Sequence, residues 1–170
     1  MLKLFNDLKL FFEDNYRRIH IREYARLRNI SPPSASKLLK NLRKEKILNK
    51  EIDKGHVLYY ANRDNAEFVH LQRIYWRQKI EKTGTINFLN EKLISPIIIL
   101  YGSFAKAEIS KNSDIDIAVF TPSENELPLQ KYEKKINRKI HLIKFSSMQD
   151  CKNENLLKNI LNGCILFGRW

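Results

Sequence analysis

The sequence predicts an α+β chain in two parts. Apolar residues early in the chain recur at helical spacing, two strand-like runs flank Asp53-Lys54-Gly55, and beyond Gly84 short apolar runs alternate with helical segments. The first pattern is that of helices closing on a hairpin, and the second that of strands interleaved with helices. A helix break at Gly84 sets the expected boundary, giving parts of residues 1–82 and 83–170.

Leu4, Leu8, Phe11 and Phe12 fall at offsets 0, 4, 7 and 8, one face of an amphipathic helix. A second short helix fits residues 21–28. Ser31-Pro32 is a capping residue followed by proline at the first helical position, so a third helix is predicted from there to about Glu45. Residues 47–52 and 57–61 have strand composition, with residues 53–55 as the turn between them. Asp64 with Glu67 three residues on reads as a capping box opening a long helix over about 64–82. The aromatic face of that helix, with Phe68, Tyr75 and Trp76, suits either core packing or a homodimer contact.

In the second half, Thr85 caps a helix with Ile86, Leu89 and Leu93 inward, and Ser95-Pro96 ends it. Residues 97–101 form the continuous apolar run of a buried strand. Gly102-Ser103 then turns the chain into a short helix. Residues 114–120 alternate as a second strand, Leu129, Tyr132 and Ile136 mark another helix, and residues 140–145 make a third strand. Residues 155–162 read as a helix with Gly163 as its left-handed stop.

The formal net charge is +12. Residues 1–82 hold 19 Lys and Arg against 10 Asp and Glu, a net of +9, while residues 83–170 hold 12 against 9, a net of +3. A basic excess concentrated in one small module favours a polyanion, and nucleic acid is the usual one. A charged surface kept for solubility is the competing account. At 43% hydrophobic and 29% charged, the composition excludes the disordered and collagen-like classes. Cys151 and Cys164 lack metal-ligand spacing and fit a reducing compartment. Asn6, Asp7 and Lys9 break the opening apolar run, which makes a poor signal peptide, and the apolar stretch at residues 96–100 is too short to span a bilayer. A cytoplasmic protein with no membrane partner is expected.

Three helices followed by a hairpin is the element order of a winged helix-turn-helix. On the third helix Ala35, Leu38, Leu39 and Leu42 make an apolar stripe, while Pro33, Ser36, Lys37, Lys40 and Lys44 make a second stripe on a different face. A recognition helix needs that division: small residues at its start approach the bases, and lysines further along meet phosphates. Pro33, Ser34, Ser36, Lys37, Lys40 and Lys44 are therefore the candidate contacts to double-stranded DNA, joined by Lys54 and His56 at the hairpin tip. An amphipathic helix with a solvated basic face is the bland alternative. The stretch from Ile21 to Lys50 resembles winged-helix transcription regulators, a pattern shared by many families.

Residues 101–120 read Y-G-S-F-A-K-A-E-I-S-K-N-S-D-I-D-I-A-V-F. Gly102 lets backbone amides approach a phosphate, the Ser103 hydroxyl adds a donor, and the start of the next helix favours an anion. Asp114 and Asp116 are separated by one residue, so on a strand both carboxylates project to one face. Such a pair beside a phosphate cradle makes a site for Mg²⁺ carried by a nucleoside triphosphate. Lys106 and Ser113, in the same stretch, are further candidate nucleotide contacts.

This stretch resembles the signature of the DNA polymerase β nucleotidyltransferase superfamily, in particular its minimal bacterial and archaeal members, over residues 83–170. The resemblance implies a short mixed sheet flanked by helices, with transfer of a nucleotidyl group from NTP-Mg²⁺ to a hydroxyl. Lys106 and Ala107 stand where the family usually has arginine and glycine. The family's third carboxylate, on the next strand, is matched here by His141, a poor Mg²⁺ ligand that can still act as a base.

Three functions stay open to the sequence. One is a DNA-binding regulator with a nucleotide pocket and little or no transfer, which His141 favours. The second is an active nucleotidyltransferase using Asp114 and Asp116 as metal ligands with His141 as a catalytic group, which the intact Gly-Ser and Asp-x-Asp favour. The third, implied by the family resemblance, is an antitoxin-type protein acting on a small helical toxin partner.

Overall fold

The computed structural model describes residues 2–170 and divides them into two compact units. The first unit runs to Gln72 and also takes in Ala107–Lys111, while the second comprises Arg73–Lys106 and Asn112–Trp170. The break at Gly84 does separate two helices, but the division between the units falls earlier, inside the long helix that precedes it.

In the first unit, helix α1 (Leu2–Glu13) is followed by a two-residue strand β1 (Ile19–His20), α2 (Ile21–Arg28), α3 (Pro32–Lys44) and the hairpin β2 (Leu48–Asp53) and β3 (His56–Ala61). Leu8, Phe11 and Phe12 of α1 are fully buried, and Phe5 joins them while Leu4 stays half-buried. The Ser31 hydroxyl accepts from the Ser34 amide, with proline next to the cap, so α3 starts where its sequence predicts. Ala35, Leu39 and Leu42 are buried beneath it. The hairpin turns on Lys54 and Gly55, both at positive φ (46° and 80°), the geometry of a two-residue primed turn. Strand β1, which has no alternation to betray it in sequence, pairs with β3 and completes a sheet of order β1-β3-β2.

Helix α4 (Ala66–Thr83) begins two residues later than the capping-box reading places it. Asn65, not Asp64, supplies the cap, its side-chain oxygen accepting from the Phe68 amide at 2.9 Å. Both residues suit an N-cap, and the frame is set by Phe68, which has to face the core. Asn15, 2% exposed, fastens the end of the α1 segment to the rest of this unit. Its side chain donates to Phe11 O and Gln72 Oε1 and accepts from Ile109 N, while its own amide donates to Ile109 O at 2.7 Å.

The second unit carries α5 (Thr85–Lys92), β4 (Ile97–Tyr101), α6 (Ser103–Lys106), β5 (Ile115–Phe120), α7 (Gln130–Ile136), β6 (Ile140–Phe145), a 3-10 turn (Met148–Asp150), α8 (Glu154–Leu161) and β7 (Cys164–Phe167). Gly84, at φ 84°, caps α5 in place of Thr85, whose hydroxyl pairs with that of Thr83. The sheet has the order β6-β5-β4-β7 and is mixed: β5 runs parallel to β6 and antiparallel to β4, and β7 is antiparallel to β4. On one face Ile99, Tyr101, Ala118 and Phe120 pack with Ile160 of α8. Gly163 does not end α8 in a left-handed turn, since Asn162 caps the helix at φ −81°. A Cβ at Gly163 would lie 2.5 Å from Leu100 O and 2.8 Å from Ile160 O, so close backbone approach to β4 is what demands glycine there. Among the described residues no helix is long and apolar enough to cross a membrane.

Candidate functional site

Register brings the central residues of the second unit together. Tyr101 of β4 lies directly opposite Asp116 of β5, and Asp116 pairs in turn with His141 of β6. Residues paired across a ladder project to the same face, so the three side chains form a row at one end of the sheet. The His141 Nδ1 approaches Asp116 Oδ1 at 3.4 Å, with the imidazole 62% and the carboxylate 27% exposed. His141 therefore faces the aspartate.

The other edge of Asp116 rests on the Gly-Ser corner. Gly102 has φ +67°, and a Cβ built there would collide with Asp116 Oδ2 and sit 3.1 Å from its Cγ. Glycine at this point is required twice, by the backbone and by the carboxylate. Ser103, half-buried, opens α6 beside it. That helix is a single turn of four residues, so the dipole contribution expected for an anion at its start is small. What the corner offers is close backbone approach and one hydroxyl.

The strand expected from residue 114 begins one residue later, so it carries Asp116 and leaves Asp114 just outside. Strand β5 begins at Ile115, whose amide bonds Lys139 O, and Asp114 is exposed immediately before it. The two carboxylates still feel each other. Burial pushes the Asp116 carboxyl above its ordinary value, the His141 contact pulls it down, and the Asp114 charge adds to the rise. Burial, with Asp116 and Cys151 contributing, likewise raises the Tyr101 phenol.

The remaining predicted contacts scatter. Lys106 is exposed and donates to Asn159 Oδ1 of α8 at 2.8 Å. Ser113 is half-buried, and its carbonyl accepts from Arg138 Nη1 at 2.9 Å. Arg138 is a residue the sequence did not single out, yet it fixes the backbone immediately before Asp114. Glu133, on α7, accepts from the Ile140 amide at 2.9 Å, a bond that holds its carboxyl below the usual range and secures the start of β6. It is thereby committed to β6, one residue before His141. His141 also lines an open cleft of about 700 Å³ with residues that include Glu133, Leu142 and Lys144.

Among the described residues no group of three or more His, Cys, Asp and Glu side chains is placed to hold a metal ion. Asp114 and Asp116 remain a pair of hard oxygen donors. The half-buried Asp116, whose ionisation burial opposes, is the kind of carboxylate that a divalent cation stabilises. The pair fits Mg²⁺ only where a ligand's own oxygens and water complete the shell. With Nδ1 turned toward Asp116 Oδ1 at 3.4 Å, a proton held on Nδ1 would leave Nε2 as a base or nucleophile.

In the first unit, Pro33, Ser34, Lys37, Lys40 and Lys44 of α3 are exposed and Ser36 is half-exposed. Ser34 is drawn into the cap, its hydroxyl accepting from that of Ser31 at 2.9 Å. At the hairpin tip Lys54 and His56 are exposed, and the His56 ring meets His20 of β1 edge-to-face at 5.2 Å between centroids.

A sheet with a glycine-serine corner against an aspartate on the neighbouring strand is an arrangement suited to a nucleotide. The family model described as "Polymerase beta, Nucleotidyltransferase" matches residues 84–169, just over half of the 170-residue chain. The chain belongs to that family. A search of curated proteins found no match.

Proposed function

We propose that the chain is a DNA-binding transcription regulator whose C-terminal half binds a nucleoside triphosphate with Mg²⁺ and transfers little or nothing to an external hydroxyl. The observation that carries this reading is the His141 imidazole, 3.4 Å from Asp116, at the position where the family resemblance calls for a third carboxylate. A hydroxyl has to lose its proton to attack phosphorus, and the third carboxylate serves both that step and the metal. Replacing it with imidazole keeps the pocket and weakens transfer. Asp114 and Asp116 would hold the cation, with phosphate oxygens and water filling its other positions. The bound cation would offset the triphosphate charge. Gly102 gives the phosphates access to backbone amides, and Ser103 adds a hydroxyl donor.

The N-terminal unit is read as a winged helix with α3 as its recognition helix. Its support is the exposed row Lys37, Lys40 and Lys44 opposite the buried Ala35, Leu39 and Leu42. Roughly five phosphate contacts predict a slope of log K against log salt near −4.5 for duplex DNA. Lys40→Ala should lessen that slope by about 1. A slope near zero removes the DNA reading.

The nucleotide reading is tested by equilibrium dialysis of labelled ATP, GTP, CTP and UTP with and without Mg²⁺. Binding that needs Mg²⁺ and falls away in Asp114→Asn is the expected result, and no binding of any of the four sinks it. Because His141 faces Asp116, an active enzyme with His141 as general base is the second reading. Labelled transfer to a hydroxyl acceptor by the wild type would favour that reading over ours.

A further inference from the structure

We propose that His141 is itself the acceptor, a site at which the chain takes a nucleotidyl group from the triphosphate. The inference rests on the reading that the Gly102–Asp116 corner binds an NTP. The missing third carboxylate matters for a hydroxyl because a hydroxyl is a poor nucleophile until its proton is removed. An imidazole nitrogen needs no such removal. Nδ1 lies 3.4 Å from Asp116 Oδ1, so a proton held on Nδ1 would leave the Nε2 lone pair for attack. The side chain is 62% exposed, so solvent does not have to be cleared for an incoming phosphate to reach it. Asp116 orients the nucleophile through one oxygen while its other oxygen lies on Gly102 of the phosphate corner. Nucleophile, orienting carboxylate and phosphate corner thus meet at one residue.

The step balances. The Nε2 lone pair forms a P–N bond to the α-phosphorus as the bond from that phosphorus to the bridging oxygen breaks, and pyrophosphate leaves. The Nδ1 proton passes to water, so the product is a neutral imidazole ring carrying a nucleoside monophosphate as a phosphoramidate, with Asp116 still ionised.

The full-length chain is incubated with α-labelled and, separately, γ-labelled ATP, GTP, CTP and UTP in Mg²⁺ or Mn²⁺. We expect α-label alone to remain on the chain after denaturation, stable to alkali and lost in acid, and to map by peptide mass spectrometry to His141. His141→Gln should lose the label, with its nucleotide binding measured alongside by equilibrium dialysis. Nucleotide bound without label overturns the inference and leaves the proposed function standing. Label on another residue, or label that persists in His141→Gln, overturns it equally. Absence of nucleotide binding in the wild type overturns both.

Discussion

Replacing Gly102 with alanine tests the geometry on which every nucleotide argument depends. The backbone at Gly102 has φ +67°, where a Cβ costs about 1–2 kcal/mol. The same Cβ would collide with Asp116 Oδ2 and lie 3.1 Å from Cγ, and relieving that overlap adds roughly 1–3 kcal/mol. Gly102→Ala should therefore destabilise the chain by about 2–5 kcal/mol, lowering Tm by roughly 2–4 °C per kcal/mol for a chain of this size. The two contributions separate in a double-mutant cycle. In an Asp116→Ala background the collision is gone and only the backbone cost of about 1–2 kcal/mol remains. Thermal and urea unfolding of the four proteins supplies the cycle. If Gly102→Ala costs the same with and without the Asp116 side chain, the carboxylate does not rest on the corner and the site as described is wrong.

Other outcomes follow from the same structure. Burial raises the folded-state pKa of Asp116 above its ordinary value, so ionising this group works against folding. Its stabilising contribution is full below the unfolded value and is lost as pH rises through the folded one. Asp116→Asn should accordingly raise Tm at pH 7 relative to wild type, with the advantage vanishing below the usual Asp range; a loss of Tm at pH 7 would contradict the sign. Glu133 has the opposite sign: its lowered pKa means that the stability lost in Glu133→Gln at neutral pH shrinks as the solution is acidified, as pH-dependent unfolding would reveal. Asn15→Ala removes three buried side-chain hydrogen bonds, leaves Ile109 N unpaired and should cost roughly 2–4 kcal/mol by urea unfolding.

Sequence reached far into this fold where the signal was local. Strand β6 occupies residues 140–145 as its composition predicts, and Ser31-Pro32 opens α3 on cue. What escaped was set by distant partners. Strand β1 has two residues and exists because β3 is beside it. Strand β7 has four, and its pairing with β4 also explains Gly163, a residue that sequence reads as a helix stop. In the site, Gly102, Ser103 and Asp116 were legible because a contiguous motif carries them. The facing of His141 toward Asp116 needed the parallel register of β5 and β6, which spacing along the chain does not encode. Arg138 was missed for the same reason, since its partner Ser113 lies 25 residues away.

The hold of Asn15 on Ile109 has a practical consequence for anyone wishing to work with the halves separately. The N-terminal unit is completed by Ala107–Lys111, a piece of chain drawn from the middle of the polymerase β family match. A single cut at Gly84 gives an N-terminal fragment whose Asn15 has lost both of its Ile109 hydrogen bonds. The C-terminal fragment from the same cut keeps Ile109, which is 0% exposed in the intact chain, and deprives it of its cover. Neither fragment is a fair stand-in for its half of the intact protein.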